Sequence, residues 1–232
     1  MKWLRTLIIF DSGNIAKTKD WRDIHSSYVR SIKSITHPSG TKKLTIRRKT
    51  RTAAGDWKRN GVVYLRKEFL NHLSKKELWL PESATRNAVP SGAPSLLLFP
   101  SLKPYHEPIT SEFGEFDFET NTKGKLRVAI EWETGNISSS HRSMNKLAIA
   151  LGDGSIHIGI LVVPSRALYE HLTDRIGNIG ELSGYLRLWQ SIRHHVKRGL
   201  LAITVVEHDK LTDDPSISYL KAGSDGRSHK KR

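Results

Sequence analysis

The chain has 232 residues, 37% of them hydrophobic, which suits one domain with a real core. It has no run of the ~20 apolar residues that a membrane-spanning helix requires. Lysine and arginine number 38 against 23 acidic residues, a net charge of +15, and such an excess draws polyanions, DNA foremost. Cysteine is absent, which excludes a disulfide framework and a thiolate metal site. The apolar run at 7–10 is too short for the core of a secretory signal, so a cytoplasmic protein is expected.

Apolar positions in residues 19–35 predict a helix that ends at the turn-forming His-Pro-Ser-Gly of 37–40. A short strand over 44–48 leads into a Lys/Arg-rich segment running to Arg59. Asn60-Gly61 is a turn signal, 62–65 is apolar, and 67–79 has helical composition stopped by Pro81. Residues 81–112 form a loop-rich, proline-rich insertion with one short apolar strand at 96–99. Strands are expected over 113–118 and, most clearly, over 126–132. In 138–151 Met144, Leu147, Ala148 and Leu151 recur at helical spacing. The near-continuous apolar run 156–163 is a buried strand. Helices over 165–176 and 181–195 and a strand over 201–206 complete a single domain, residues 1–220, followed by a basic arm at 221–232. Strands alternating with helices predict an α/β fold with a central mixed β-sheet flanked by helices.

The chemistry gathers on the strand Arg127-Val128-Ala129-Ile130-Glu131-Trp132-Glu133. Side chains on a strand alternate, so Val128, Ile130 and Trp132 supply core while Glu131 and Glu133 share the other face. Two adjacent carboxylates repel unless a cation or a proton lies between them. An antiparallel hairpin turning over 120–125 brings Asp117 beside Glu131. Three carboxylates at one point make a hard-oxygen site for magnesium, suited to phosphodiester hydrolysis. Glu-x-Glu is a short pattern that by itself more often describes a solvated strand face, and Glu115 and Glu119 share a face with Asp117, so periodicity leaves the third acid open. His194-His195 point in different directions and read as surface, and His141 reads as a packing or phosphate-contacting residue.

The run Glu131-Trp132-Glu133-Thr134-Gly135-Asn136-Ile137-Ser138-Ser139-Ser140-His141-Arg142-Ser143-Met144-Asn145-Lys146-Leu147 resembles the active-site strand and following helix of the BamHI family of type II restriction endonucleases. The resemblance continues at Leu172-Thr173-Asp174-Arg175 and Lys221-Ala222-Gly223-Ser224-Asp225-Gly226, and more weakly at 35–46 and Asn60-Gly61-Val62-Val63. It implies a restriction-endonuclease-like core in which Asp117, Glu131 and the backbone carbonyl of Trp132 bind Mg2+, with Glu133 standing where most nucleases of the wider superfamily carry lysine. It also implies a further upstream glutamate at the metal, with Glu68 and Glu77 both open.

By the same resemblance Asn136, Ser138 and Arg142 face base edges, and Asp174 and Arg175 read the outer G·C pairs. Arginine can bond guanine O6 and N7 together while aspartate accepts from cytosine N4. Gly223 lies in an arm that enters the minor groove. The implied protein is a bacterial homodimer that cuts double-stranded DNA at a palindrome similar to GGATCC after the first G, leaving a 5′ GATC overhang, alongside a cognate DNA methyltransferase. A repair or junction nuclease, or a non-catalytic DNA-binding protein, are the alternatives. The chain departs from the family in a shorter Asp117–Glu131 interval, a longer 80–112 region, the bulkier Trp132, and Arg227 in place of an apolar residue.

Overall fold

The computed structural model describes residues 1–81, 96–105, 114–133, 135–173 and 176–221. In chain order the elements are β1 (Lys2–Ser12), α1 (Lys19–Lys33), β2 (Thr45–Arg47), β3 (Thr50–Arg51), β4 (Trp57–Lys58), α2 (Val63–Lys75), β5 (Leu80–Pro81), β6 (Leu96–Leu97), β7 (Pro104–Tyr105), β8 (Phe118–Asn121), β9 (Arg127–Trp132), α3 (Ile137–Gly152), β10 (Ile158–Pro164), α4 (Arg166–Tyr169), α5 (Ile179–Leu182), α6 (Leu186–Ser191), β11 (Gly199–Glu207) and β12 (Lys210–Thr212).

The main sheet has the order β1-β11-β10-β9-β8-β5. Its centre, β11-β10-β9, is parallel, and β1 and β8 add antiparallel on either side, so the sheet is mixed as expected. Parallel strands survive only when both faces are covered. Here one face is covered by α1 and α2, whose Tyr28, Ile32, Phe69 and Leu73 pack with Val128, Ile130, Ile160 and Ala202. Met144, Leu147 and Leu151 of α3 and Trp189 of α6 cover the other face, over Ala129, Leu161 and Ile203. The strand alternation thus sorts side chains between two cores, and Glu131 falls on the α3 side of β9.

Three expectations change. The strand placed at 113–118 begins at Phe118, because the ladder with β9 starts at Phe118↔Ile130. The turn closes through Thr122 and Leu126, with Lys125 at φ 62. The helix expected over 165–176 stops at Tyr169, because the backbone of His171 and Thr173 bonds to Asn60 instead. The helix expected over 181–195 is broken into α5, a 3-10 turn at Ser183–Tyr185, α6 and a second 3-10 turn at Ile192–His195. Gly184, with its high backbone entropy cost in a helix, sits at the break. The edge strand β1 has no counterpart among the predicted elements. Its mostly part-exposed pattern hides the alternation that would have marked it.

Candidate active site

The β8–β9 hairpin sets the site. Its register, Phe118↔Ile130 and Glu119↔Ala129, carries Asp117 to the position opposite Glu131. Asp117 Oδ2 accepts the backbone N–H of Trp132 at 2.7 Å, which docks this carboxylate between Glu131 and Glu133. Of the three acids that share its face, Asp117 is therefore the one held against β9.

Asp117, Glu131 and Glu133 are 8%, 7% and 7% exposed, and so deeply buried carboxylates demand partners. Two cations supply part of that demand. Arg66 of α2 pairs with Asp117, and Lys146 of α3 pairs with Glu131. Lys146 Nζ also donates to the carbonyl of Glu115 at 2.7 Å and lies 4.8 Å from the centre of the Phe116 ring. Burial, followed by the neighbouring Asp117, pushes the Glu131 carboxyl up to about 7, while Lys146 pulls it down and Glu133 adds to the rise.

Glu133 is oriented from α3. The backbone N–H of Gly135 donates to its Oε1 at 2.5 Å, and Ser143 Oγ donates to its Oε2 at 3.4 Å. Gly135 is required by space: a Cβ there would lie 2.5 Å from Ser139 Oγ and 3.1 Å from Glu133 Oε1. Ser139, Ser143 and Lys146 recur at helical spacing, so one face of α3 is turned toward the acids.

The donor set fits a hard divalent cation. Glu131 and Asp117 are neighbouring buried carboxylates, hard oxygen donors whose charge Lys146 and Arg66 balance. Among the described residues no three His, Cys, Asp or Glu side chains converge on one point. The expected three-acid cluster is thus drawn apart. Arg66 and Lys146 each hold one acid, and Gly135 and Ser143 hold the third.

Glu77 is committed elsewhere, accepting from Arg30 Nε at 2.9 Å and Nη2 at 2.6 Å and thereby bracing α1. Glu68 lies on α2, near the Tyr64 hydroxyl.

The start of α3 is joined by a short bridge to the chain just after residues 174–175. Asn136 caps α3, its Oδ1 accepting from Ser139 N at 3.1 Å, a structural duty in addition to the base contact expected of it. Asn136, Ser138 and Arg142 are all exposed. His141 packs edge-on to Tyr185, with ring centres 4.2 Å apart, and His194 and His195 are exposed. Asp174, Arg175 and Gly223 lie outside the described residues, but the flanks of the first two are placed. On one side Asn60 bridges to Leu172, and on the other Asn136 bridges to Ile176. A Cβ at Gly177 would strike Ser140 Oγ at 2.1 Å, so glycine there permits the close approach to α3.

The model of the family described as restriction endonuclease BamHI matches residues 1–227. The chain belongs to this family. It is 44% identical over 105 residues to the type II restriction enzyme OkrAI of Oceanobacter kriegii, covering 45% of this chain and 52% of that one. It is 49% identical over 72 residues to the type II restriction enzyme BamHI of Bacillus amyloliquefaciens, covering 31% of this chain and 33% of that one. The matched segments therefore span about half and a third of these relatives' lengths. The solved structure of restriction endonuclease BglII complexed with a DNA 16-mer aligns with 89% of this chain and 79% of that one, at a TM-score of 0.47 and 8% identity. The BamHI family's relatives are named as type II restriction enzymes, that is, site-specific deoxyribonucleases. No helix among the described residues is long and apolar enough to cross a membrane.

Arg66 and Lys146 join the site only in three dimensions. Lys146 carries a usable signal in the sequence, because it follows Ser139 and Ser143 on one helical face within the family-matched run. Arg66 carries none, since it reaches Asp117 across 51 residues of sequence.

Proposed function

We propose that this protein is a magnesium-dependent type II restriction endonuclease. It hydrolyses double-stranded DNA as a homodimer at a palindrome similar to GGATCC, after the first G, to leave 5′ GATC ends. The observation that carries this reading is the docking of the Asp117 carboxylate on the N–H of Trp132, between Glu131 and Glu133. A protein that only binds DNA gains nothing from burying three neighbouring acids on and beside one strand, given what each costs to desolvate.

Asp117, Glu131 and the carbonyl of Trp132 are the groups that would hold the ion. When bound, a divalent cation supplies Lewis-acid polarisation of the scissile phosphate and neutralises charge on the leaving 3′ oxygen. Glu133, oriented by Gly135 and Ser143, accepts a proton from the attacking water. Lys146 favours the ionised form of Glu131 against the effect of burial. Asn136, Ser138 and Arg142 at the start of α3, with Asp174 and Arg175, read base edges in the major groove. The arm around Gly223 lies in the minor groove. A two-fold dimer follows from the reaction: a palindrome presents two equivalent strands, and each subunit cuts one. A bacterial cytoplasm that also holds a cognate DNA methyltransferase is the setting such an activity requires.

Digestion of plasmid DNA with purified protein and magnesium, followed by sequencing of the ends, tests this reading. Discrete ends of 5′ GATC at GGATCC are expected. Discrete cuts at another palindrome overturn the site while retaining the enzyme class. Cutting confined to branched or damaged DNA replaces it with a repair or junction nuclease. Duplex binding with no cutting in magnesium or manganese replaces it with a binding protein.

A further inference from the structure

The segment between β2 and α2 is strongly basic, and the mechanism above leaves it unused. Residues 47–59 hold Arg47, Arg48, Lys49, Arg51, Lys58 and Arg59 against one acid, Asp56. The β3–β4 hairpin displays this charge, since residues 50–58 are all exposed.

Two aromatic rings organise the cations. Arg51, Lys49 and Arg59 stand 4.9, 5.3 and 5.8 Å from the centre of the Trp57 ring. Arg47 and Lys58 stand 4.9 and 5.0 Å from that of Tyr219. Trp57 is itself 42% exposed, so it serves as a platform for cations and not as core. Arg51, Lys58 and Arg59 make no ion pair among the described residues, while Lys49 and Arg48 have only exposed partners, Glu170 at 3.9 Å and Asp213 at 3.3 Å. Arg47 Nε and Arg59 Nε are covered and lack a hydrogen-bond partner. Cations gathered this closely repel one another, and a polyanion removes that cost.

The root of the hairpin shows where it lies. Asn60, fully buried, donates from Nδ2 to the carbonyls of Arg47 at 2.7 Å and His171 at 3.0 Å. Its backbone carbonyl accepts from Thr173 N at 2.6 Å, and its Oδ1 accepts from Leu220 N at 3.3 Å. Tyr219 adds a bond from its hydroxyl to the carbonyl of Arg48 at 2.8 Å. One residue thus ties the hairpin to the strand of chain that leads into Asp174 and Arg175, and to the one that leads into the basic arm.

We propose that the 48–59 hairpin is a phosphate clamp for duplex DNA just outside the recognition palindrome, beside the outer base pairs. The inference rests on the reading of the chain as a DNA-cleaving enzyme. The clamp adds affinity without sequence information, because phosphates are alike at every base pair.

The test uses the full chain and its triple variant K49Q/R51Q/K58Q, all at surface positions. Binding is measured in metal-free buffer against rising salt. One GGATCC duplex has long flanks and the other ends close to the palindrome. On the long duplex the variant's slope of log affinity against log salt is expected to be shallower by about 5.4, since the dimer loses three cations from each subunit and each phosphate left without its cation lowers the slope by about 0.9. On the short duplex the two proteins are expected to have the same slope. The charge-preserving variant K49R/R51K/K58R should keep the steep slope on the long duplex. Equal slopes for wild type and triple variant on the long duplex overturn the clamp, and so does an equal change on both duplexes. A wild-type protein that neither binds nor cuts duplex DNA overturns the enzymatic reading itself, whereas one that cuts while the variant matches its salt slope overturns the clamp alone.

Discussion

The backbone N–H of Gly135 donates to Glu133 Oε1 at 2.5 Å, and in the same place a Cβ on residue 135 would lie 2.5 Å from Ser139 Oγ. One glycine therefore both orients the proposed proton acceptor and lets the chain turn closely into α3. The acid's position depends on a side chain being absent two residues away.

Gly135→Ala is expected to fold, since residue 135 is only partly buried, but to displace Glu133. Misplacement of a reacting group by about 1 Å costs on the order of 100-fold in rate. Single-turnover cleavage should fall by about that factor. The double variant G135A/S139A, which removes Ser139 Oγ but leaves its Cβ at 2.7 Å, should recover part of the loss. Unchanged cleavage by Gly135→Ala would show that Glu133 needs no such placement.

Lys146→Met removes the ammonium beside a buried carboxylate. Leaving such a group uncompensated costs about 3–5 kcal/mol when it must stay ionised. Glu131 already sits up near 7, above its unfolded value, so its charge weakens the fold increasingly as pH rises through that range. Without Lys146 its carboxyl rises further. Melts of the metal-free protein should then show a stability gap from wild type that is small at pH 5 and widens toward pH 8. A constant gap across this range would mean that the lysine acts through packing alone.

Asn60→Ala removes a buried amide that bonds to Arg47, His171 and Leu220. Each buried group left unsatisfied costs about 1–3 kcal/mol, so a loss of at least that size is expected in urea denaturation. Its consequence for function should be looser discrimination at the outer base pairs, read by comparing cleavage of GGATCC with sites altered at the first or last position. Asn60→Asp, which keeps Oδ1, should retain the bond from Leu220 but lose those to the two carbonyls.

His25, His157, His171 and His208 all have pKa values lowered by burial. A group whose folded value lies below its unfolded value resists protonation in the fold. Its stabilising effect is whole above about 6.5, the unfolded histidine value, and is lost as pH falls toward the folded one. Thermal stability should therefore decline from pH 7 to pH 5. His25→Gln should flatten that decline, since it removes a ring packed between Trp3 and Tyr28. A melting temperature that stays level over this range would contradict the prediction.

Much of the site can be read in the linear chain because its central pieces are local. Glu131 and Glu133 follow from alternation on a short strand, and α3 from four apolar residues at helical spacing. Asp117 needs only a hairpin, and the ladder carries it opposite Glu131, with the turn shifted by about two residues. The charge of the 48–59 segment is equally plain from composition. Such features depend on neighbours within a few residues, where backbone geometry alone decides what meets what.

Tertiary structure decided the rest. Glu131 and Asp117 acquired Lys146 and Arg66 as partners because α3 and α2 deliver them from separate layers, at separations no periodicity encodes. Residues 170–173 left the helix that their composition favours because Asn60, more than a hundred residues away, offers their backbone better hydrogen bonds. Edge strand β1 exists because β11 presents an open row of donors and acceptors to it. Residue type set the local shapes and the charge of this protein, whereas packing between distant segments set which charges are neutralised, where helices stop, and how the basic hairpin is aimed.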